Sequence, residues 1–172
     1  MNNAPVPSSP NHSSSARGDH ARVPFFPPVL PLGALAAGIV LEWVWPLAGH
    51  VHFLPPALRY AVAAVLFLGG APLFFGSGRA LRRAGTNVNP SQPTTSVVQR
   101  WPFSWTRNPM YLGGNLVYLA IGFAVPLYWV LLLFPLPALL CHYFVVRREE
   151  EYLERKFGES YRAYCRSVRR WL

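Results

Sequence analysis

Two short clusters hold most of the side chains in this chain that could do chemistry. The first is Arg107-Asn108-Pro109-Met110-Tyr111, and the second is Arg148-Glu149-Glu150-Glu151-Tyr152-Leu153. A guanidinium, a side-chain amide, phenols and adjacent carboxylates can together grip a zwitterionic ligand. Each cluster also has a plainer reading. Arg107 suits the cytoplasmic flank of a membrane helix, and Pro109 suits the first helical position. Glu149–Glu151 suits a solvated helix start, where carboxylates favour the dipole. Placement sets the two clusters apart, because they flank one long uncharged run whose ends a hairpin would bring together. No metal centre is expected. Cys141 and Cys165 form no CxxC or paired Cys/His spacing, and His50 and His52 have no third partner.

The elements that must position these clusters follow from composition. Of 172 residues, 52% are hydrophobic, 15% aromatic and only 13% charged, and the mean hydropathy is positive. A soluble domain carries about a quarter charged residues, and a disordered chain lacks the aromatics. Val23–Leu41, Tyr60–Gly78 and Asn108–Val146 contain no Asp, Glu, Lys or Arg, and each is long enough to cross ~30 Å of hydrocarbon. The last run has 39 residues and as one helix would extend roughly 58 Å, so Pro126 near its middle marks a hairpin turn.

The expected architecture is an all-α integral membrane protein with about four transmembrane helices. Residues 1–22, rich in Asn, Pro, Ser and His, read as a disordered tail and not as a secretory signal. Residues 23–78 hold two spans, near Val29–Trp45 and Ala57–Ser77, the second interrupted by Gly69, Gly70 and Pro72. Residues 79–172 hold an Arg-rich loop (79–107), a helical hairpin with spans near Pro109–Ala124 and Leu127–Val146, and a basic tail. Pro135 and Pro137 should kink the fourth span. In the tail, Arg147–Phe157 is helix-favouring and Gly158 can stop it. Beyond it, Tyr161, Tyr164, Val168 and Trp171 share one face of an expected amphipathic helix lying on the membrane. Glu42 reads as a headgroup-level carboxylate and His142 as a packed or rim residue.

Charge orients this arrangement. The N-terminal tail, the 79–107 loop and the C-terminal tail hold two, five and eight of the sixteen Lys and Arg, leaving Arg59 opposite. Both termini are therefore expected in the cytoplasm. Topology and anionic lipid account for the net charge of +9, so no nucleic-acid partner is expected.

The ordered set Gly85-Thr86-Asn87-Val88-Asn89-Pro90, Pro93-Thr94-Thr95, Arg107-Asn108-Pro109-Met110-Tyr111-Leu112-Gly113, Glu149-Glu150-x-Tyr152-Leu153, Phe157-Gly158, Tyr161 and Tyr164 resembles the isoprenylcysteine carboxyl methyltransferase family. The likeness is to its bacterial branch and to the related phospholipid N-methyltransferases, and it covers about residues 85–172. The resemblance implies a multi-pass methyltransferase of a bacterial inner membrane that uses S-adenosylmethionine in a cytoplasmic pocket without a Rossmann sheet. It carries the family's arginine onto Arg107, its His/Asn onto Asn108, its tyrosine onto Tyr111 and its glutamate pair onto Glu149 and Glu150. Arg107 and Glu150 are the implied catalytic pair. Asn108, Pro109, Tyr111, Glu149, Glu150 and Tyr152 are the implied cofactor contacts. Arg107 would orient an acceptor carboxylate or hold the cofactor's own. Glu150 would take the ribose hydroxyls or the methionyl ammonium, with Glu149 in support, and Tyr111 would pack against adenine. Two departures stand out: Asn108 replaces the histidine of the eukaryotic enzymes, and Trp101-Pro102-Phe103 stands where relatives show Gly-Pro-Phe.

The implied partners are the bilayer and a lipophilic or small methyl acceptor. An isoprenylcysteine-like carboxylate leads by resemblance, with a small thiol and a phospholipid amine as alternatives. From a different class, a non-catalytic scaffold or small transporter could retain the hairpin, although transporters more often show intramembrane charge or internal repeats. The terminal Arg170-Trp171-Leu172 is no CaaX box, so the chain is not itself expected to be prenylated.

Overall fold

The computed structural model describes residues 20–21, 27–47 and 54–172, and all regular structure among them is helical. The expected tail and the His50/His52 pair lie largely or wholly outside the described residues. Helix α1 is Val29–Val44 and α2 is Pro56–Arg83. Helix α3 is Pro109–Ala124. Helix α4 spans Tyr128–Phe157 as one rod with a break at Phe134, and α5 is Glu159–Ser167. Proline opens α2 and α3, where its missing N–H would be unsatisfied in any case. Gly158 adopts φ +53° between α4 and α5, a conformation that favours glycine.

Among the described residues, α2 and α4 are the two helices long and apolar enough to cross a membrane, with 28 and 30 residues. The 16 residues each of α1 and α3 reach about 24 Å, short of a ~30 Å core. Apolar side chains nevertheless cover the outside: Leu32 is 61% exposed, and Val65 and Leu68 are both 71% exposed. A soluble surface rarely carries so continuous an apolar face.

Small residues set the packing. A methyl group on Gly113 of α3 would lie 2.5 Å from the Phe74 amide nitrogen and 2.6 Å from the Gly70 carbonyl oxygen of α2. The two backbones therefore touch at Gly70/Gly113, the close approach that small residues permit between membrane helices. At the other end Val130 of α4 is fully buried against Gly38 of α1. There Trp129 donates its backbone N–H to Glu42 at 3.3 Å and its indole N–H to the Trp45 carbonyl at 2.8 Å. Glu42 thus joins α1 to α4.

Three expectations need correction. Helix α2 runs unbroken through Pro72 to Arg83, so the first residues of the expected 79–107 loop are helical. The fourth span and the charged helix after it are one rod. It is interrupted at Phe134, before Pro135, and widens to a π-helical stretch at His142–Val146. Finally, α5 ends at Ser167 and Val168 is extended, at φ −129° and ψ 132°, so Val168 and Trp171 share no helical face with Tyr161 and Tyr164. The two tyrosines are 3% and 4% exposed and pack against protein. Their apolar face is needed inside the molecule, which leaves none to lay on lipid.

Candidate active site

The hairpin turn at residues 125–127 returns α4 alongside α3, so the start of α3 and the far part of α4 meet at one rim. The structure brings Arg107, Asn108, Pro109, Tyr111, Glu149 and Glu150 to the wall of a single cleft there. The 79–107 loop and the C-terminal segment close its remaining sides.

Glu150 is the hub. Its carboxylate takes the Arg170 guanidinium through two contacts, Nη2 at 2.7 Å and Nε at 2.9 Å. Arg107 Nη2 lies at 3.6 Å and Asn108 Nδ2 at 3.5 Å. The Glu150 and Arg107 side chains are only 12% and 15% exposed, which strengthens their attraction relative to a surface pair. Hydrogen bonding to Glu150 in turn raises the Arg170 pKa above its usual value. Glu149 accepts a hydrogen bond from the Tyr111 hydroxyl at 2.9 Å.

Backbone bonds hold the C-terminal segment in place. The Arg107 N–H donates to the Arg169 carbonyl at 2.9 Å. Thr106 Oγ1 and Asn108 Nδ2 both donate to the Arg170 carbonyl, at 2.9 and 3.2 Å. Arg107 Nη1 also points at Cys165 Sγ, 2.6 Å away. Tyr164 donates its hydroxyl to the Phe103 carbonyl at 2.7 Å, tying α5 to the loop. Burial pushes the Tyr161 and Tyr164 phenols well above their usual range, so both stay neutral at working pH.

Tyr152 differs from the other expected contacts. It is 5% exposed and does not line the cleft. Its hydroxyl accepts from the Thr94 N–H and from Lys156 Nζ, both at 3.2 Å. Tyr152 therefore pins the loop to α4 and belongs to the support of the site. His142 stacks near Trp171, with ring centroids 5.7 Å apart, as a packed rim residue.

Nothing in the sequence singles out Arg170, Thr106 or Ser96 as site residues, and the spacing of Tyr161 and Tyr164 reads as a membrane face. Only the position of the two tyrosines in the ordered signature hinted at a site. Arg170 belongs to a run of basic residues that reads as topology.

The donor set can be tested against a cofactor with a carboxylate, an ammonium and ribose hydroxyls. Two buried polar atoms at the cleft have no hydrogen-bond partner, Arg107 Nε and Ser96 Oγ. Such groups are costly to leave unpaired, and both suit an incoming polar ligand. Paired carboxylates at Glu149 and Glu150 complement an ammonium or a diol. Among the described residues no group of three His, Cys, Asp or Glu could hold a metal ion.

Comparison with known proteins follows the same line. A sequence profile described as phospholipid methyltransferase matches residues 58–160, more than half of the chain. An uncharacterized protein of Haemophilus influenzae is 38% identical over 69 residues, covering 40% of this chain and 84% of that relative. No solved structure matches.

Proposed function

The chain belongs to the phospholipid methyltransferase family, a family of membrane methyltransferases, and from that premise we propose that it uses S-adenosylmethionine to methylate a lipophilic acceptor reaching the cleft from the bilayer. The observation that carries this reading is the convergence of Arg107 and Asn108 with Glu149 and Glu150 at one cleft, with Arg107 Nε and Ser96 Oγ buried there and unpaired.

In this reading four helices lie in the membrane, with α1 and α3 packed beside the two long ones and both termini cytoplasmic. The bilayer belongs to a bacterial inner membrane. Bound in the cleft, the cofactor supplies a methyl group already activated on a sulfonium. Glu150, with Glu149 beside it, would hold the ammonium or the ribose hydroxyls. Arg107 and Asn108 bind a carboxylate. Pro109 fixes the start of α3, and Tyr111 holds Glu149 through its hydroxyl, so its ring is placed by that bond. The neutral phenols of Tyr161 and Tyr164 wall off water without adding charge. Such a site accelerates transfer chiefly by positioning the acceptor in a water-poor space.

An isoprenylcysteine-like carboxylate is the leading acceptor: it needs no base, only a cation to orient it, and Arg107 offers one. A phospholipid amine is the second reading, favoured by the family description. Calorimetry of S-adenosylmethionine on detergent-purified protein tests the cofactor. Micromolar binding should be lost in Arg107→Ala and Glu150→Gln, and a well-folded wild type that does not bind would leave only a scaffold. Labelled methyl transfer then sorts the acceptors, because a methyl ester releases methanol in base whereas an N-methyl or S-methyl product survives.

A further inference from the structure

A second concavity, of about 430 Å³, lies on α2 and shares no lining residue with the cleft. Its wall is apolar along Phe67, Leu68 and Phe75, and its inner end carries Arg79 and Arg83. Trp101 of the following loop folds back onto it, its ring 2.5 Å from where a methyl on Gly76 would stand. Phe67, Leu68, Phe75 and Trp101 are 50%, 71%, 57% and 50% exposed. The glycine is therefore what lets an aromatic ring form one side of the groove while half of its surface stays open.

Arg79 and Arg83 are four residues apart on the same helical face, where like charges repel. Among the described residues neither takes part in an ion pair. They directly follow the uncharged stretch Tyr60–Gly78, at the depth where a helix leaves hydrocarbon and meets headgroups. An apolar channel that runs toward the membrane interior and ends on two guanidiniums matches one chemistry: a fatty chain attached to a phosphate.

We propose that this groove is a binding site for an anionic phospholipid, with an acyl chain along Phe67, Leu68 and Phe75 and the phosphate between Arg79 and Arg83. Trp101, an amphipathic ring at the interface, closes over the glycerol region. The site is independent of methyl transfer. It ties the end of α2 to the loop after it, and so braces the side of the cleft that this loop builds.

The test is lipid retention by the purified full chain, measured by native mass spectrometry with phosphatidylglycerol and phosphatidylcholine of matched chains. Two guanidiniums at the surface should give wild type roughly a thirtyfold preference for the anionic lipid, and Arg79→Gln/Arg83→Gln should abolish it. Excess inorganic phosphate should not displace the lipid, since it lacks the chain. Phosphatidylglycerol brominated in its acyl chain should quench part of the tryptophan emission in wild type, and that part should be missing in Trp101→Phe. Equal retention of the two lipids by wild type, or an undiminished preference in the double variant, would overturn the proposal. So would full displacement by phosphate, or quenching unchanged in Trp101→Phe. None of these readouts depends on cofactor binding, so failure here and failure of the methyltransferase reading are separately visible.

Discussion

Two glutamates near the C-terminus of this chain each face two arginines, and they do different things. Glu150 meets Arg107 and Arg170, with closest contacts of 3.6 and 2.7 Å. Glu159, nine residues on, meets Arg162 and Arg166 at 3.0 and 2.7 Å. The chemistry is the same, but the Glu150 side chain is 12% exposed and that of Glu159 66%. Around Glu150 the arginines arrive from separate segments, and Arg107 keeps one nitrogen buried and unpaired. Around Glu159 both arginines lie on the same short helix and water reaches every group. An ion pair becomes part of a site when distant segments converge on it and leave polar valence unspent. Pairing alone is a surface commonplace.

Removing the buried charge should expose this difference most strongly. Glu150→Gln leaves Arg107 largely buried without its counter-charge and loosens the C-terminal segment, at a cost of about 3 kcal/mol. The expected result is a Tm lower by several degrees in detergent, together with loss of S-adenosylmethionine affinity. A variant with unchanged Tm would erase the distinction between the two glutamates.

The cleft also depends on how closely α2 and α3 approach beneath it. Gly113→Ala would press a methyl against backbone atoms of α2 at 2.5 and 2.6 Å, and backbone cannot rotate aside. The expected destabilisation is about 2 kcal/mol, seen as a lowered Tm. Gly69→Ala, which meets nothing within 4 Å, serves as the control and should show no loss of Tm. A smaller effect is expected from Tyr164→Phe, which leaves the Phe103 carbonyl without its donor at a cost of about 1 kcal/mol. Because Tyr164 lines the cleft, cofactor affinity should fall with stability, whereas Gly69→Ala should lower neither.

Much of this was legible in the chain. The uncharged runs and the prolines located α1, α2 and α3 to within a few residues, except at the inner end of α2. The 39-residue run with Pro126 at its centre gave the hairpin, because length alone rules out a single crossing. The two clusters were recognisable because the hairpin brings its open ends together. What stayed hidden was long-range and polar. The spacing of Tyr161 and Tyr164 states that one helical face is apolar, but not whether lipid or protein covers it. Arg170 looks like any other basic residue in the tail until the backbone of 169–170 is seen bonded to Thr106, Arg107 and Asn108. Tyr152 sits inside a motif of site residues, and only the path of the loop at Thr94 shows that its hydroxyl is occupied.

The smallest expected effect sharpens the comparison best, because it keeps the pairing and removes the burial. Hydrogen bonds from Arg166 and then Arg162 hold the Glu159 carboxyl below its usual value of 4.5. A carboxyl with a lowered folded-state pKa contributes stability above its unfolded value, and that contribution disappears as pH falls through the folded value. Glu159 is open to solvent, so screening leaves little of the contribution to detect. Glu159→Gln should therefore match the Tm of wild type at neutral pH within error and bind cofactor equally well. Any slight deficit at low salt should disappear on adding salt and shrink as the pH falls below the usual carboxylate range. A loss as large as that of Glu150→Gln, measured side by side in thermal melts across pH, would mean that pairing rather than burial and convergence governs this end of the molecule.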